Sequence, residues 1–105
     1  MRVLFDQGTP VPLRHALSKH TVATAYEQGW SKLDNGLLLK EAEGAFDAFV
    51  TTDKNLQHQR NLTGRRLAIL VLPTTSWPEI RQHQDEVAAA VDVLRPGDFV
   101  ELEFR

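Results

Sequence analysis

The chain has 105 residues, of which 42% are hydrophobic and 25% are charged, and its formal net charge is −2. It contains no cysteine, so a disulfide scaffold and a zinc site built on thiolates are excluded. No apolar run approaches the roughly 20 residues that a membrane helix needs, and the first residues lack the pattern of a signal peptide. We therefore expect residues 1–105 to form a single cytoplasmic domain without membrane contact.

The first half of the chain alternates short apolar runs with segments of helical periodicity. Residues 2–6 and 21–25 are predicted strands, because both are short, β-favouring and followed by turn residues. Between them, Thr9 is expected to be the N-cap of a helix whose first turn contains two prolines. Asp34 or Asn35 is expected to cap a second helix, where apolar residues recur at helical spacing.

The second half continues the alternation. Residues 48–52 and 67–72 are predicted strands buried within the sheet, because neither run contains a charge. A short polar helix over residues 55–61 separates them. A capping box at residues 76–79 predicts one long helix that ends before a Pro-Gly pair. Residues 99–104 alternate apolar and acidic side chains, which is typical of a half-exposed edge strand.

The order β-α-β-α-β-α-β-α-β predicts an α/β fold in which helices cover both faces of a mostly parallel sheet of about five strands. Such sheets bind ligands outside the carboxyl ends of their strands. Asp6 and Asp53 follow the first and third predicted strands, and Asp34 precedes the helix that leads to the third. We expect these acids at one edge of the sheet, where a hard divalent cation such as Mg²⁺ or Mn²⁺ would relieve their repulsion.

Each acid also has an alternative interpretation. Asp34 and Asp53 are both suited to cap a helix. Asp6 is harder to explain in this way, because a charge that ends a buried strand is costly unless it is paired or ligated. A phospho-receiver domain also carries an aspartate at the end of its third strand. It would require paired acids where Asp6-Gln7 stands and a lysine near the last strand, which residues 99–104 lack.

Two short motifs resemble those of the PIN-like superfamily, in particular of small bacterial members that open with an Asp-Glu-Asn-Leu-Pro type motif. The first motif reads Leu4-Phe5-Asp6-Gln7-Gly8-Thr9-Pro10, and the family's Thr-x-Asp signature reads Thr51-Thr52-Asp53-Lys54-Asn55. The resemblance extends over most of the chain, from Arg2 to about Gly97. The order and spacing of the motifs give it its specificity.

This resemblance implies a PIN-like three-layer α/β/α fold and a metal-dependent ribonuclease. In that chemistry, acidic residues hold Mg²⁺ or Mn²⁺, which activates water for attack on an RNA phosphodiester. Asp6 and Asp53 match acids of the family, and Asp34 matches its middle acid. Many members are toxin components of toxin–antitoxin pairs, so a cognate antitoxin protein is an implied partner beside the RNA substrate.

The charge pattern around Asp53 is unusual. Residues 54–78 contain four basic residues and no acid, although the whole chain is slightly acidic. Its part from Lys54 to Arg66 fits a wall beside Asp53 that contacts an RNA backbone, and it fits equally a salt-bridged helix that faces an acidic partner. Supporting or RNA-binding roles are expected for four residues in or next to this stretch: Thr52, Lys54, Asn55 and Arg60.

Two departures from the family pattern leave the activity open. Gln7 stands where many relatives carry glutamate, and no acid follows the fourth strand. A weaker metal site, a single-metal mechanism, or a catalytically inactive PIN-like module that binds a protein partner or RNA are therefore alternatives to the nuclease. The edge strand and Trp77 also fit a homodimer contact, although a charged edge is equally how monomers avoid aggregation.

Overall fold

The computed structural model describes residues 1–58 and 66–104, which form one five-stranded sheet with helices between the strands. The strands are β1 (Arg2–Phe5), β2 (Thr21–Thr24), β3 (Ala48–Thr51), β4 (Ala68–Val71) and β5 (Phe99–Glu101). The helices are a first 3₁₀ helix (Val11–Leu17), α1 (Asn35–Ala45), a second 3₁₀ helix (Lys54–His58), α2 (Trp77–Gln82) and α3 (Gln84–Asp92). None of these helices combines the length and the apolar character needed to span a membrane.

The order across the sheet is β2-β1-β3-β4-β5, and every neighbouring pair is parallel. After β1 the chain moves to one side to form β2, and it then returns past β1 to form β3. In open α/β sheets, this reversal leaves a crevice at the carboxyl ends of the two central strands, where ligands bind. The predicted α/β class and the parallel sheet of five strands are confirmed.

Apolar clusters on both faces of the sheet hold the helices in place. Side chains alternate along a strand, so Val3 and Phe5 face one cluster and Leu4 faces the other. The first cluster includes residues of the first 3₁₀ helix, α2 and α3, and the second includes residues of α1. Ala68–Val71 is buried throughout because both faces of β4 are covered, as the uninterrupted apolar run predicts.

The first helix differs from the sequence-based expectation. It is a 3₁₀ helix whose N-cap is Pro10, and that cap makes no side-chain hydrogen bond. Thr9, the expected cap, is instead buried and donates its hydroxyl to the Val50 carbonyl oxygen at 3.0 Å. A buried hydroxyl needs a hydrogen-bond partner, and here β3 supplies it across the sheet.

The capping box at residues 76–79 is half formed. Ser76 Oγ accepts a hydrogen bond from the Glu79 backbone N–H at 3.4 Å, as predicted. The Ser76 backbone N–H donates to Thr74 Oγ1 at 3.0 Å, which takes the place expected for the Glu79 carboxylate. The serine therefore starts α2 without the reciprocal bond of the full motif.

The single long helix predicted after this cap is two helices. His83 separates α2 from α3, with φ −119° and ψ 18°. Its ring stacks on Phe104 with centroids 4.4 Å apart, and its Nδ1 lies 2.8 Å from Glu86 Oε1. These contacts hold His83 at the break, and helical periodicity alone does not reveal them.

Several predicted strands are also shorter in the structure. Strands β1, β2 and β3 each end one residue earlier than expected, and β5 ends at Glu101, with one further ladder bond from Leu102 N–H to the Val71 carbonyl. The half-exposed edge position of β5 is confirmed. The predicted polar helix is the second 3₁₀ helix, and residues 59–61 of that prediction, including Arg60, lie outside the described residues.

A histidine–carboxylate contact ties the start of β2 to the end of α3, and we expect it to make stability depend on acid pH. His20 Nε2 lies 2.7 Å from Asp92 Oδ1, and this hydrogen bond lowers the pKa of Asp92, with a smaller contribution from the charge of Lys19. A carboxyl whose pKa is lowered by folding stabilises the fold above its unfolded pKa and loses that contribution as the pH falls through the folded value.

The Asp92→Asn variant should therefore melt at a lower temperature than the wild type at neutral pH. The difference should shrink at pH values well below 3.8, the ordinary aspartate value, because both chains are then uncharged at this position. Thermal unfolding followed by circular dichroism at the two pH values checks this. An equal difference at both would show that the carboxylate charge does not stabilise the fold.

Candidate active site at the carboxyl edge of the sheet

The carboxyl ends of β1 and β3 bring Asp6 and Asp53 to the same place. Asp6 follows β1 directly, and its backbone N–H donates to the Val50 carbonyl of β3 at 2.9 Å. Thr51 ends β3 with its side chain fully buried. Its hydroxyl donates to Asp6 Oδ2 at 2.8 Å and accepts the Asp53 backbone N–H at 3.1 Å. One buried hydroxyl therefore connects the two acidic strand ends.

Asp53 is held from two further directions. Its Oδ1 accepts the Asn55 backbone N–H at 2.9 Å, so it also caps the turn that begins the second 3₁₀ helix. Its Oδ2 accepts the side-chain amide of Asn35 at 3.1 Å. Asn35 is the first residue of α1 and was not predicted as a site residue. Its position directly after the expected N-cap could have marked Asn35 as a site residue, because a side chain in the first turn of α1 can reach the carboxyl edge of the sheet.

Asp34 is used differently from the other two acids. It is the N-cap of α1, and its Oδ1 accepts the Leu37 backbone N–H at 2.9 Å. This is the alternative role that its sequence position allowed. Within residues 1–58 and 66–104, no group of three or more histidines or acids is arranged to hold a metal ion. The described residues thus bring two of the three predicted acids together, and a metal-binding role for Asp34 stays a prediction.

The two roles of Asp34 can be separated by substitution. Serine caps helices about as well as aspartate but has no carboxylate, whereas alanine has neither property. We expect Asp34→Ala to cost about 1 kcal/mol of stability and Asp34→Ser to cost much less. Urea unfolding measures both. If Asp34→Ser also loses Mn²⁺ binding in calorimetry, the carboxylate has a role in the site beyond the cap.

Asp6 and Asp53 retain capacity for a metal ion. Asp6 Oδ1 accepts the Gln7 backbone N–H at 2.9 Å, and its Oδ2 accepts the Thr51 hydroxyl. Each carboxylate oxygen has two lone pairs, so one hydrogen bond leaves room for a second interaction. Mg²⁺ in proteins is usually held by one or two carboxylates, together with waters and substrate phosphates. The donor set at this edge fits such a cation, although it does not form an all-protein cage.

A tight turn brings Gly8 against Thr52 beside the acids. The Thr9 backbone N–H donates to the Asp6 carbonyl at 3.0 Å, which closes the turn. A Cβ atom added at Gly8 would lie 2.4 Å from Thr52 Oγ1, closer than side chains normally approach. Thr52 is half-buried here and was one of the expected supporting residues. Glycine at position 8 therefore allows Thr52, the residue after β3, to lie this close to the turn.

We expect Gly8→Ala to destabilise the protein by about 1–3 kcal/mol, because the new methyl group displaces Thr52 and the turn. Gly44 is the matched control. It lies in α1, where an added Cβ meets no atom within 4 Å, so Gly44→Ala should stabilise the helix by up to about 1 kcal/mol. Urea unfolding of the two variants gives the comparison. Equal effects would mean that Thr52 yields freely to the alanine.

A cleft of about 240 Å³ opens beside Asp6. Gln7 and Gly8 form one wall, and Trp30, Ser31 and Asn35 lie among the residues of the other. The Trp30 ring packs edge-on against the core ring of Phe46, with centroids 6.0 Å apart. The cleft provides space for part of a substrate next to the Asp6 carboxylate.

An ion pair fixes the loop behind this cleft. Glu27 Oε1 accepts the Thr24 backbone N–H at 2.9 Å, and both Glu27 oxygens accept hydrogen bonds from the Arg14 guanidinium. The bond from Arg14 is the main reason why the pKa of Glu27 is lowered. β2 is an edge strand, and Glu27 accepts a backbone N–H on its outer side. This end of β2 is therefore less free to pair with a strand of another molecule. The loop that bounds the cleft is thereby anchored to the first 3₁₀ helix.

Two described basic residues of the acid-free stretch, Lys54 and Arg66, lie at opposite edges of the sheet. Lys54 is exposed at the carboxyl edge, next to Asp53, and lines a shallow pocket with Glu101 and Glu103. Arg66 precedes β4 and therefore lies at the amino edge, on the opposite side of the sheet. Asn55 is exposed and reaches Asp53 through its backbone, and the position of Arg60 is outside the described residues. Lys54 is the described basic residue of this stretch that lies beside the acids.

Comparison of the chain with protein-family models, with curated proteins and with solved structures finds no match. The interpretation of this edge therefore depends on its own geometry and on the motifs that resemble those of PIN-like proteins. The geometry offers the carboxylates of Asp6 and Asp53, an amide that bonds to Asp53, a buried hydroxyl that bonds to the Asp6 carboxylate and the Asp53 backbone, and an adjacent cleft. These groups are suited to bind a hard cation and a phosphate ester together.

Proposed function

We propose that the protein is a metal-dependent ribonuclease with a PIN-like fold, and that Asp6 and Asp53 hold its divalent cation. The observation that carries the proposal is the Thr51 hydroxyl, which joins the two acids at the point where the strand order reverses. A buried polar group whose hydrogen bonds are satisfied makes its surroundings rigid, so this hydroxyl fixes the Asp6 carboxylate relative to the Asp53 backbone. Mg²⁺ or Mn²⁺ is the cation that such oxygen donors favour.

When bound, the cation would supply an activated water and neutralise charge on the phosphodiester. The residues of the chain have separate tasks around it. Asp6 and Asp53 bind the cation, and Thr51 holds both in register. Asn35 orients the Asp53 carboxylate through its amide. Lys54, exposed next to Asp53, is placed to attract a phosphate of the RNA backbone.

The substrate would enter through the cleft beside Asp6. Its volume of about 240 Å³ and its polar side chains suit one nucleotide rather than a duplex. Bases of single-stranded RNA are free to leave the strand and enter such a cleft, whereas paired bases are not. We therefore propose single-stranded or looped RNA as the substrate. The antitoxin and homodimer partners implied by the sequence remain part of this proposal.

A degenerate pool of short single-stranded RNA, incubated with the purified protein and Mn²⁺ and resolved on a denaturing gel, tests the proposal. We expect Mn²⁺-dependent cleavage that stops when EDTA is added. Protein carrying Asp53→Asn, prepared in the same way, controls for contaminating nucleases. Equal cleavage by both preparations would attribute the activity to a contaminant and reject the ribonuclease.

A catalytically inactive module that binds a protein partner or RNA is the second candidate. Two observations favour it: Gln7 replaces an expected acid, and the described residues contain no group of three acids or histidines placed for a metal. Such a module would bind RNA without cleaving it and would not require Mn²⁺. A gel-shift measurement in EDTA, followed by addition of Mn²⁺ to the same complex, separates the two, because the module should leave the bound RNA intact whereas the nuclease should cleave it.

A further inference from the structure

A pocket lies at the amino edge of the sheet, opposite Asp6 and Asp53. Its volume is about 360 Å³, and its apolar part is formed by residues such as Phe46, Leu94 and Pro96. Arg66 and Arg95 line it as well. Both arginines come just before a strand, β4 and β5 respectively, which places them at this edge. The proposed nuclease site does not use this pocket.

A third arginine stands beside the pocket. Arg2 begins β1, and its guanidinium lies over the ring of Phe46, 5.2 Å from the ring centroid. Because Phe46 also lines the pocket, this contact holds the Arg2 charge near the pocket rim. Three arginines, one at the start of β1 and two in the loops before β4 and β5, therefore line or adjoin one pocket with an apolar part.

Glu43 and Asp47 also line the pocket, and these two acids and the nearby Asp98 accept hydrogen bonds from backbone groups. Glu43 accepts the backbone N–H groups of Arg66 at 2.8 Å and Leu67 at 3.0 Å. Asp47 Oδ2 accepts the Arg2 backbone N–H at 2.8 Å, and Asp98 Oδ2 accepts the Arg95 backbone N–H at 2.9 Å. Each of the three arginines thus has its backbone fixed by an acid.

The guanidinium groups, by contrast, form no ion pair with a described residue. Across residues 1–58 and 66–104, the ion pairs involve Arg14, Lys19, His20 and His83, and none includes Arg2, Arg66 or Arg95. The acids at this edge therefore bond to the backbone of the arginines. Within the described part of the chain, the arginine side chains form no ion pair with a carboxylate. Guanidinium groups bind phosphate through two parallel hydrogen bonds, which makes arginine the preferred residue for this purpose.

We infer that this pocket is a second binding site, and that it takes a phosphate ester whose anionic group is held by Arg66 and Arg95. The organic part of the ligand would lie on the apolar surface near Phe46, Leu94 and Pro96. The same phosphate chemistry could come from a free nucleotide or from a phosphodiester of an RNA strand. The inference does not depend on the proposed nuclease, because the two sites lie on opposite edges of the sheet.

Isothermal titration with a nucleoside 5′-monophosphate in the absence of divalent cations tests the site. We expect binding by the wild type and a loss of affinity of about tenfold or more for each of Arg66→Gln and Arg95→Gln. Arg81→Gln is the matched control, since it removes the same charge from α2, away from the pocket. The Asp6→Asn/Asp53→Asn variant should bind the nucleotide as the wild type does, which separates this site from the nuclease site.

Two further titrations, with lysine variants and with RNA, examine the role of the guanidinium group and the source of the phosphate. Arg66→Lys and Arg95→Lys retain the charge but lose the paired hydrogen bonds, so they should bind more weakly than the wild type and more strongly than the glutamine variants. A short single-stranded RNA replaces the nucleotide in a second titration. If it binds and the free nucleotide does not, the RNA backbone is the source of the phosphate. Failure of both the nucleotide and the RNA to bind, or an equal loss with Arg81→Gln, would overturn the inference.

Discussion

The Asp6→Asn variant is expected to lose Mn²⁺-dependent RNA cleavage while keeping its fold. Asparagine has nearly the same shape, and its oxygen can still accept the Thr51 hydroxyl, but it removes the negative charge that attracts the cation. Loss of an outer partner of a metal ligand typically costs about 10–100-fold in affinity or activity, so loss of a ligand itself should exceed that range. Initial cleavage rates across a series of Mn²⁺ concentrations measure the effect.

Asp92→Asn provides the control for this experiment, because it removes one carboxylate from α3, outside the site. It should cleave RNA at the wild-type rate at a temperature where it is folded. A different outcome would contradict the metal site. If Asp6→Asn raises the melting temperature and leaves cleavage unchanged, the carboxylates at this edge only repel each other and do not share a cation.

Thr51→Val is expected to reduce metal affinity or activity by about 10–100-fold, because the Thr51 hydroxyl is the shared partner of both acids. Valine matches threonine in shape but cannot donate to Asp6 Oδ2 or accept from the Asp53 N–H. The unpaired groups should also lower the free energy of unfolding by about 1–3 kcal/mol. Calorimetric Mn²⁺ binding and urea unfolding measure the two effects separately.

Thr51→Ser separates the hydroxyl from the methyl group. Serine keeps the hydroxyl and should retain most of the metal affinity, even if the smaller side chain costs some stability. Wild-type metal affinity in Thr51→Val would contradict the positioning role. An equal loss in both variants would mean that packing at the end of β3, and not the hydroxyl, positions the acids.

The positions of the strands could be predicted from the sequence because they depend on local pattern. Uncharged apolar runs mark β3 and β4, and alternation with glutamate marks β5 as an edge. The sequence predicts that Asp6 and Asp53 meet on the condition that their strands are neighbours, and the structure shows that β1 and β3 are adjacent. The observed order 2-1-3-4-5 is also that of flavodoxin-like folds, so it supports the α/β class and does not by itself identify a family.

The details of the site could not be predicted, because they depend on contacts between distant segments. Thr52 was expected to support the site, but Thr51 is the residue that bonds to both acids. Adjacent residues of a strand face opposite sides, so the choice between them requires the strand register. Likewise, the sequence does not reveal whether Asp34 or Asn35 reaches Asp53. The structure shows that Asp34 is occupied by the α1 N-terminus, which leaves the amide of Asn35 at the site.

Titration calorimetry with Mn²⁺ tests most directly whether the acids at the carboxyl edge form a metal site. The wild type and the Asp6→Asn/Asp53→Asn variant are compared in the same buffer, with circular dichroism to establish that both are folded. We expect the wild type to bind Mn²⁺ and the variant to show no binding. If neither protein binds at millimolar Mn²⁺, or if both bind equally, Asp6 and Asp53 do not hold a catalytic cation.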